Sequence, residues 1–335
     1  MAPIFDTAFC RLAGIPIPII QAPIGSLAVP ELAAAVSEAG GLGMLSVTWL
    51  ELPEIDELLA RVRARTDRPF GVNLILEWPQ EERLRHCLEA GVRIVSLFWG
   101  DPAPLVPIAH DAGAIVLQTV GDAAEARRAV EAGVDVIVAQ GWEAGGHVRG
   151  QVATLALVPA VVDAVAPTPV VAAGGIGDGR GLAAVLTLGA SAGWLGTRFV
   201  MAAEAPALPR YRELLAAADE TSTVYSTVFD IGWPEAPHRT LRNSTVDAWE
   251  AAGRPGSGSR PGQGEVIATW DGLPVHRYQS SSAMDGVTGD IDALPLWAGQ
   301  SVGLIREVLP AGEIVRRIAD EAVAALSAGA GLVEG

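Results

Sequence analysis

Short apolar runs, many of them β-branched, alternate with helix-like stretches through the first 200 residues. Strands are expected at 17–21, 42–47, 70–74, 94–98, 114–119, 136–140, 169–173 and 193–196. Each run is too short for a buried helix, and Gly or Pro bounds most of them. Helices are expected at 30–39, 54–66, 80–89, 104–111, 122–132, 155–165 and 179–188. Pro30 stands where a helix tolerates proline, in its first turn, and Asp122 where a carboxylate caps an N-terminus. A small motif recurs where helix gives way to strand: EAGGLG at 38–43, EAGV at 89–92, DAGA at 111–114 and EAGV at 131–134, with a weaker echo, LGAS, at 188–191. Glycine there supplies the left-handed residue that ends a helix and turns the chain. The eight strand ends fall 21 to 27 residues apart, except for one step of 33. Eight evenly spaced βα units predict a parallel (β/α)8 TIM barrel, with a doubly wound open sheet as the alternative.

The rhythm stops after the eighth strand. Residues 221–298 show no clean period and hold Trp233, Trp249, Trp270 and Trp297, four of the nine tryptophans. Within them, GRPGSGSRPGQG at 253–264 has the composition of a flexible loop. Two helix-like stretches follow, at 300–308 and 313–326. The expected organisation is a barrel over 1–220, an irregular Trp-rich insert over 221–298 that forms a lid or a dimer contact, and closing helices over 299–335.

Composition narrows the chemistry. Half the residues are apolar, enough for a large core, and the net charge is −16. So acidic a surface disfavours nucleic acid and anionic membranes as partners. All 23 basic residues are Arg, which excludes a lysine Schiff base and a P-loop lysine. Two cysteines, Cys10 and Cys87, read as ordinary thiols, and no cluster has metal-ligand spacing. No basic stretch leads into an unbroken apolar run, and the apolar stretch 15–32 is interrupted by prolines; a cytoplasmic location is expected.

Three sets of residues carry candidate chemistry. Strand seven ends in Ala-Ala-Gly174-Gly175-Ile-Gly and strand eight in Leu-Gly196-Thr197-Arg. Glycines at two neighbouring strand ends serve either as turns or as close backbone approaches to a phosphate, and strands seven and eight of a barrel are the usual phosphate site. The 33-residue step contains Gln140-Gly-Trp-Glu-Ala-Gly145-Gly146-His147. His147 is either a surface-loop histidine or, placed over the barrel mouth, a general base near neutral pH. His86, His110, His238 and His276 lie on outer helices or in the insert and read as structural. Finally, Gln21, Asn73, Gln118 and Gln140 stand at or near strand ends, where amides can meet the edge of a planar heterocycle.

Together QAPI at Gln21, GVN at Gly71, QGWEAGGH at Gln140, AAGGIG…LGTRF at Ala172 and PLWAGQS at Pro295 resemble the nitronate monooxygenases, over about residues 5–317. The resemblance implies a non-covalent FMN. Ala22, Pro23 and Ile24 would pass beside its ring system, and Asn73, Gln118 and Gln140 would meet its polar edges or its ribityl chain. Gly145 and Gly146 would line the pocket, and Gly174, Gly175, Gly196 and Thr197 would hold the phosphate. His147 would be the catalytic base, with Trp297, Gln300 and Ser301 on the substrate side. Two positions depart from the family pattern: Trp297, where members often have Tyr, and Val148-Arg149-Gly150 after the Gly-Gly-His. The implied reaction is oxidation of alkyl nitronates, or nitroalkanes, by O2 to a carbonyl compound and nitrite, by a possible homodimer. Alternatives are a flavin-dependent enoyl-ACP reductase or related secondary-metabolic oxidoreductase using NAD(P)H, and a flavin- or phosphate-binding protein without turnover.

Overall fold

The computed structural model describes residues 5–332. Its strands are β1 (Ile19–Gln21), β2 (Gly43–Ser46), β3 (Phe70–Ile75), β4 (Ile94–Phe98), β5 (Ile115–Val120), β6 (Val136–Gln140), the two-residue β7 (Gly146–His147), β8 (Val170–Ala173) and β9 (Ala192–Leu195). All but β7 form one parallel sheet in the order β1-β9-β8-β6-β5-β4-β3-β2. The ends meet: Gln21 N donates to Leu42 O at 2.9 Å and Leu42 N to Ile19 O at 2.9 Å. The sheet therefore closes into the expected barrel.

Local chemistry explains the regularity. Gly40, Gly91, Gly113, Gly133 and Gly189, the glycines of the recurring motif, have φ between 71° and 97°, the left-handed conformation that ends a helix without a Cβ clash. Asp122 caps its helix by accepting from Glu125 N, and Pro30 opens helix Pro30–Glu38. Strand alternation then splits the core into two layers. Ile20, Met44, Leu117, Val136 and Val171 fill the barrel, and Phe9 of helix Ala8–Ala13 plugs the end where the strands begin. Ile19, Leu45, Val72, Val95 and Ile137 face outward against the helices. Both cysteines are buried and free, and burial pushes the Cys87 thiol up to about 12.

The eighth barrel helix comes from the chain's C-terminal part. Helix Ala311–Ala330 packs between Gly179–Thr187 and Pro30–Glu38. Contact with the first is so close that a Cβ on Gly179 would lie 2.3 Å from Glu321 Cβ, and Gly179 N donates to Glu321 Oε2 at 2.9 Å.

The insert is more ordered than its sequence suggests. It forms β10 (Thr223–Ser226), β11 (His238–Leu241), β12 (Val266–Trp270), β13 (Leu273–His276) and β14 (Val287–Gly289), with helix Ser244–Ala251. One small sheet is β13-β12-β14. The other, β10-β11-β7, ties the insert to the barrel by setting His238 opposite His147. The stretch 253–264 is anchored rather than free. Arg260, almost fully buried, grips both Asp230 carboxylate oxygens at 2.6 and 2.7 Å, and Tyr278 Oη donates to Pro261 O at 2.7 Å. The stretch expected as a helix at 300–308 is a 3-10 turn, Gln300–Leu304, and the chain is extended beyond it. Among the described residues no helix is long and apolar enough to cross a membrane.

Candidate functional site

A cavity of about 430 Å³ opens at the carboxyl ends of the barrel strands and runs beneath the insert. Most of the residues singled out in the sequence meet there: Ala22, Pro23 and Ile24 after β1; Asn73 on β3; Gln140, Gly145, Gly146 and His147 around the β6 loop; Gly174, Gly175, Gly196 and Thr197 after β8 and β9; and Trp297 and Ser301 from the closing segment.

Two of the expected residues do not line it. On β5, Leu117 packs inside the barrel and Thr119 lines the cavity, so the alternation of side chains turns Gln118 to the other face, where its Nε2 donates to Thr119 O at 3.3 Å. Gln300 lies beyond the wall, its backbone N donating to Glu143 O at 2.9 Å. Thr119 would have emerged from a strict period-two reading of β5.

The loop carrying His147 is held from several sides. Gln140 Nε2 donates to His147 O at 3.0 Å and Gln140 Oε1 accepts from Arg149 N at 3.3 Å, so this amide braces the loop. Glu143 accepts from Thr154 N and Thr154 Oγ1 at the start of helix Thr154–Val165. Buried Arg239 donates to Trp142 O at 2.9 Å and stacks on the Trp142 ring at 4.6 Å. Gly145 lies so close to the closing segment that a Cβ there would sit 2.4 Å from Gly299 N. Thr197 Oγ1 accepts from Gly299 N at 3.0 Å, and Tyr211 Oη donates to Trp297 O at 2.5 Å.

Polar groups without partners collect at the cavity's glycine end. The backbone N–H groups of Gly175, Ile176, Gly196 and Thr197 find no acceptor among the described residues. Gly174 and Gly175 have φ of 92° and 74°, which aims successive peptides as no side-chain-bearing residue readily would. The following helix adds little here, because Asp178 accepts from Arg180 N and Gly181 N and Glu321 takes Gly179 N. The Asn73 amide, on the far wall, also makes no side-chain hydrogen bond among the described residues.

His147 stands between two indoles, its ring centroid 4.1 Å from Trp233 and 5.4 Å from Trp297. Its Nε2 lies 3.5 Å from Ser280 Oγ, while Nδ1 is buried without a partner. No Asp, Glu or Arg lines the cavity among the described residues. Burial, and after it the nearby His238 ring, lower the His147 pKa to about 3, so the imidazole is neutral at physiological pH. His238 was read as structural from the sequence, and its place beside His147 could not be seen without the pairing of β11 with β7. It is fully buried, its Nε2 accepts from Phe229 N at 3.2 Å and its Nδ1 faces Ala236 O at 3.0 Å. Burial lowers its pKa to about 4.

These two rings make stability pH-dependent. As pH falls below the ordinary value of 6.5, the unfolded chain binds protons on both histidines, whereas the folded chain does so only near 4 and 3. Unfolding free energy therefore falls with pH in that window, by up to about 1.4 kcal/mol per pH unit for each proton. Urea midpoints at pH 7, 6 and 5 should decline steadily; a midpoint unchanged down to pH 5 would contradict the burial of neutral rings.

The model of the nitronate monooxygenase family matches residues 6–86 and 77–321, nearly the whole chain. The chain belongs to the nitronate monooxygenase family. A nitronate monooxygenase from Pseudomonas aeruginosa is 35% identical, with 93% of this chain and 98% of that protein covered. A Mycobacterium tuberculosis protein named (3aS,4S,5R,7aS)-5-hydroxy-7a-methyl-1-oxo-octahydro-1H-indene-4-carboxyl-CoA dehydrogenase is 34% identical over 98% of this chain and 99% of its own length. Among solved structures, FabK from Thermotoga maritima superposes with a TM-score of 0.82 at 30% identity, covering 98% of this chain and all of that one. Within this family of flavoenzymes the chain is an oxidoreductase. A nitronate monooxygenase-family flavin suits the residues present: an anionic phosphate fits the free N–H groups of the glycine end, and the free Asn73 amide suits a heterocycle edge.

Proposed function

We propose that this protein binds FMN at the barrel mouth and oxidises alkyl nitronates, and nitroalkanes after deprotonation, with O2 to a carbonyl compound and nitrite. The observation that carries the proposal is His147, a neutral imidazole in an otherwise uncharged cavity that also contains an unpartnered backbone cradle.

The N–H groups of Gly175, Ile176, Gly196 and Thr197 would hold the phosphate, with Gly174 shaping the turn. Ala22, Pro23 and Ile24 would flank the ring system, Asn73 would bond its polar edge, and Gly145 and Gly146 would keep the wall thin enough to admit it. FMN supplies an acceptor for substrate electrons and a route from there to O2. His147, unprotonated at neutral pH but made by burial a weaker base than the near-neutral one expected from the sequence, would take the α-proton of a neutral nitroalkane at Nε2, the nitrogen beside Ser280. A nitronate arrives already deprotonated and needs only positioning by the Ser280 hydroxyl and by the indole of Trp297. Gln140 holds the His147 backbone and so fixes where Nε2 points.

Anaerobic mixing tests the reaction. Propyl nitronate should bleach the flavin spectrum and NADH should not. Bleaching by NADH alone would assign the site to an NAD(P)H-linked reductase, such as an enoyl-ACP reductase, and no response to either would favour a protein that binds flavin without turnover.

A further inference from the structure

We infer that the substrate carries its acidic carbon on a bulky, uncharged hydrocarbon body, ring-sized rather than ethyl-sized, and that Trp49, Phe98 and Trp233 select it. This inference rests on the nitronate reading above.

Four barrel-derived aromatic rings converge on or lead to one indole of the insert. Trp233, only 3% exposed, lies 5.0 Å from Trp99, 5.4 Å from Trp78 and 6.2 Å from Phe98, and Trp49 extends the row 5.7 Å beyond Trp78. The same indole touches His147. From Trp233, which lies tilted against the candidate base, the row is thus packed edge-on to the rim and is braced from behind. Its brace includes Trp99 at φ 63°, a conformation that bulky residues adopt only when their surroundings hold them there. Such packing leaves the wall little freedom to collapse onto a small ligand.

At the rim, large apolar side chains are exposed on both sides. Trp49 on the barrel loop is 56% exposed and Trp270 on the insert is 41% exposed, and both line the cavity. One exposed tryptophan is ordinary. Two at one cavity mouth, continuous with a buried aromatic row, form an apolar surface of the kind that binds apolar ligands. An ethyl or propyl chain beside His147 would leave most of it in water. No charged side chain lines the cavity among the described residues, so a charged body would lose its hydration without gaining a partner.

Burying one methylene is worth about fourfold in affinity. Nitrocyclohexane has four more carbons than nitroethane, so it should bind the FMN-loaded full chain at least about tenfold more tightly, as read by anaerobic calorimetric titration of protein whose flavin has first been reduced with dithionite and so accepts no substrate electrons. The W49A variant, altered at a rim position more than half exposed, should weaken nitrocyclohexane more than nitroethane and bring the ratio to within about threefold. Equal affinities in the unaltered protein, or a ratio unchanged in W49A, would overturn the inference. Binding is read without turnover, which separates the two readings. Selective binding of nitrocyclohexane with no oxidation of either nitronate would sink the reaction proposed above and keep this selection. Oxidation of ethyl nitronate with no size preference in binding would do the reverse.

Discussion

Replacing His147 by alanine should leave FMN bound and lower kcat/KM for neutral nitroalkanes by about 10²–10⁴, the usual worth of a positioned general base. His147 is the only ionisable side chain beside Tyr211 on the cavity wall among the described residues, and the Tyr211 hydroxyl is already donating to Trp297 O. Nothing else there can take a proton, because burial raises the Tyr211 pKa well above its ordinary value. The same variant should lose far less with a preformed nitronate, which has no proton to give. Steady-state kinetics with nitroethane and with ethyl nitronate separate the two. Full nitroethane activity in H147A would show that the proton leaves by another route. Equal losses with both substrates would show that the ring positions the substrate rather than deprotonating it.

The second large effect is expected at Gly145. A methyl group there would lie 2.4 Å from Gly299 N and 2.5 Å from Ala298 C, and both contacts are backbone. A flexible side chain can swing aside from such an overlap, but two packed main chains cannot. In G145A the β6 loop and the closing segment must therefore separate. Overpacking of this kind costs about 1–3 kcal/mol. The strain falls between the loop that carries His147 and the segment whose Gly299 bonds Thr197 at the proposed phosphate cradle. We expect FMN affinity to fall by at least about tenfold and the melting temperature to drop by a few degrees. Flavin retained through gel filtration measures the first and thermal denaturation the second. Retention equal to that of the unaltered protein would mean that this contact does not support the flavin site.

The barrel was legible because each of its signals is local. A glycine of positive φ ends helix after helix at Gly40, Gly91, Gly113, Gly133 and Gly189, and those glycines stand in one recognisable motif. The glycine end of the cavity was legible for the same reason. The next helix is capped by Asp178, which accepts from Arg180 N and Gly181 N and so occupies donors that an anion would otherwise meet. The insert was harder to read, since its strands are only three to five residues long and pair across long sequence gaps. One of its signals was nevertheless available. Asp271 and Gly272, at φ of 48° and 83°, make the two-residue turn between β12 and β13, and Asp-Gly is a strong hairpin signature. Arg260 illustrates the opposite limit. Its Gly/Ser/Pro-rich surroundings give no sign of a carboxylate partner 30 residues away. His238 and Trp233 are of the same kind. Their importance is a matter of what they touch, and no periodicity encodes a cross-strand neighbour.

The most direct test of the account is to purify the full chain, record its visible spectrum, denature it and identify what is released. A yellow protein yielding FMN in about one equivalent per chain is the expected result, given one cluster of backbone N–H groups, at Gly175, Ile176, Gly196 and Thr197, without acceptors among the described residues. A colourless protein that takes up no FMN, or one that releases FAD, would contradict it.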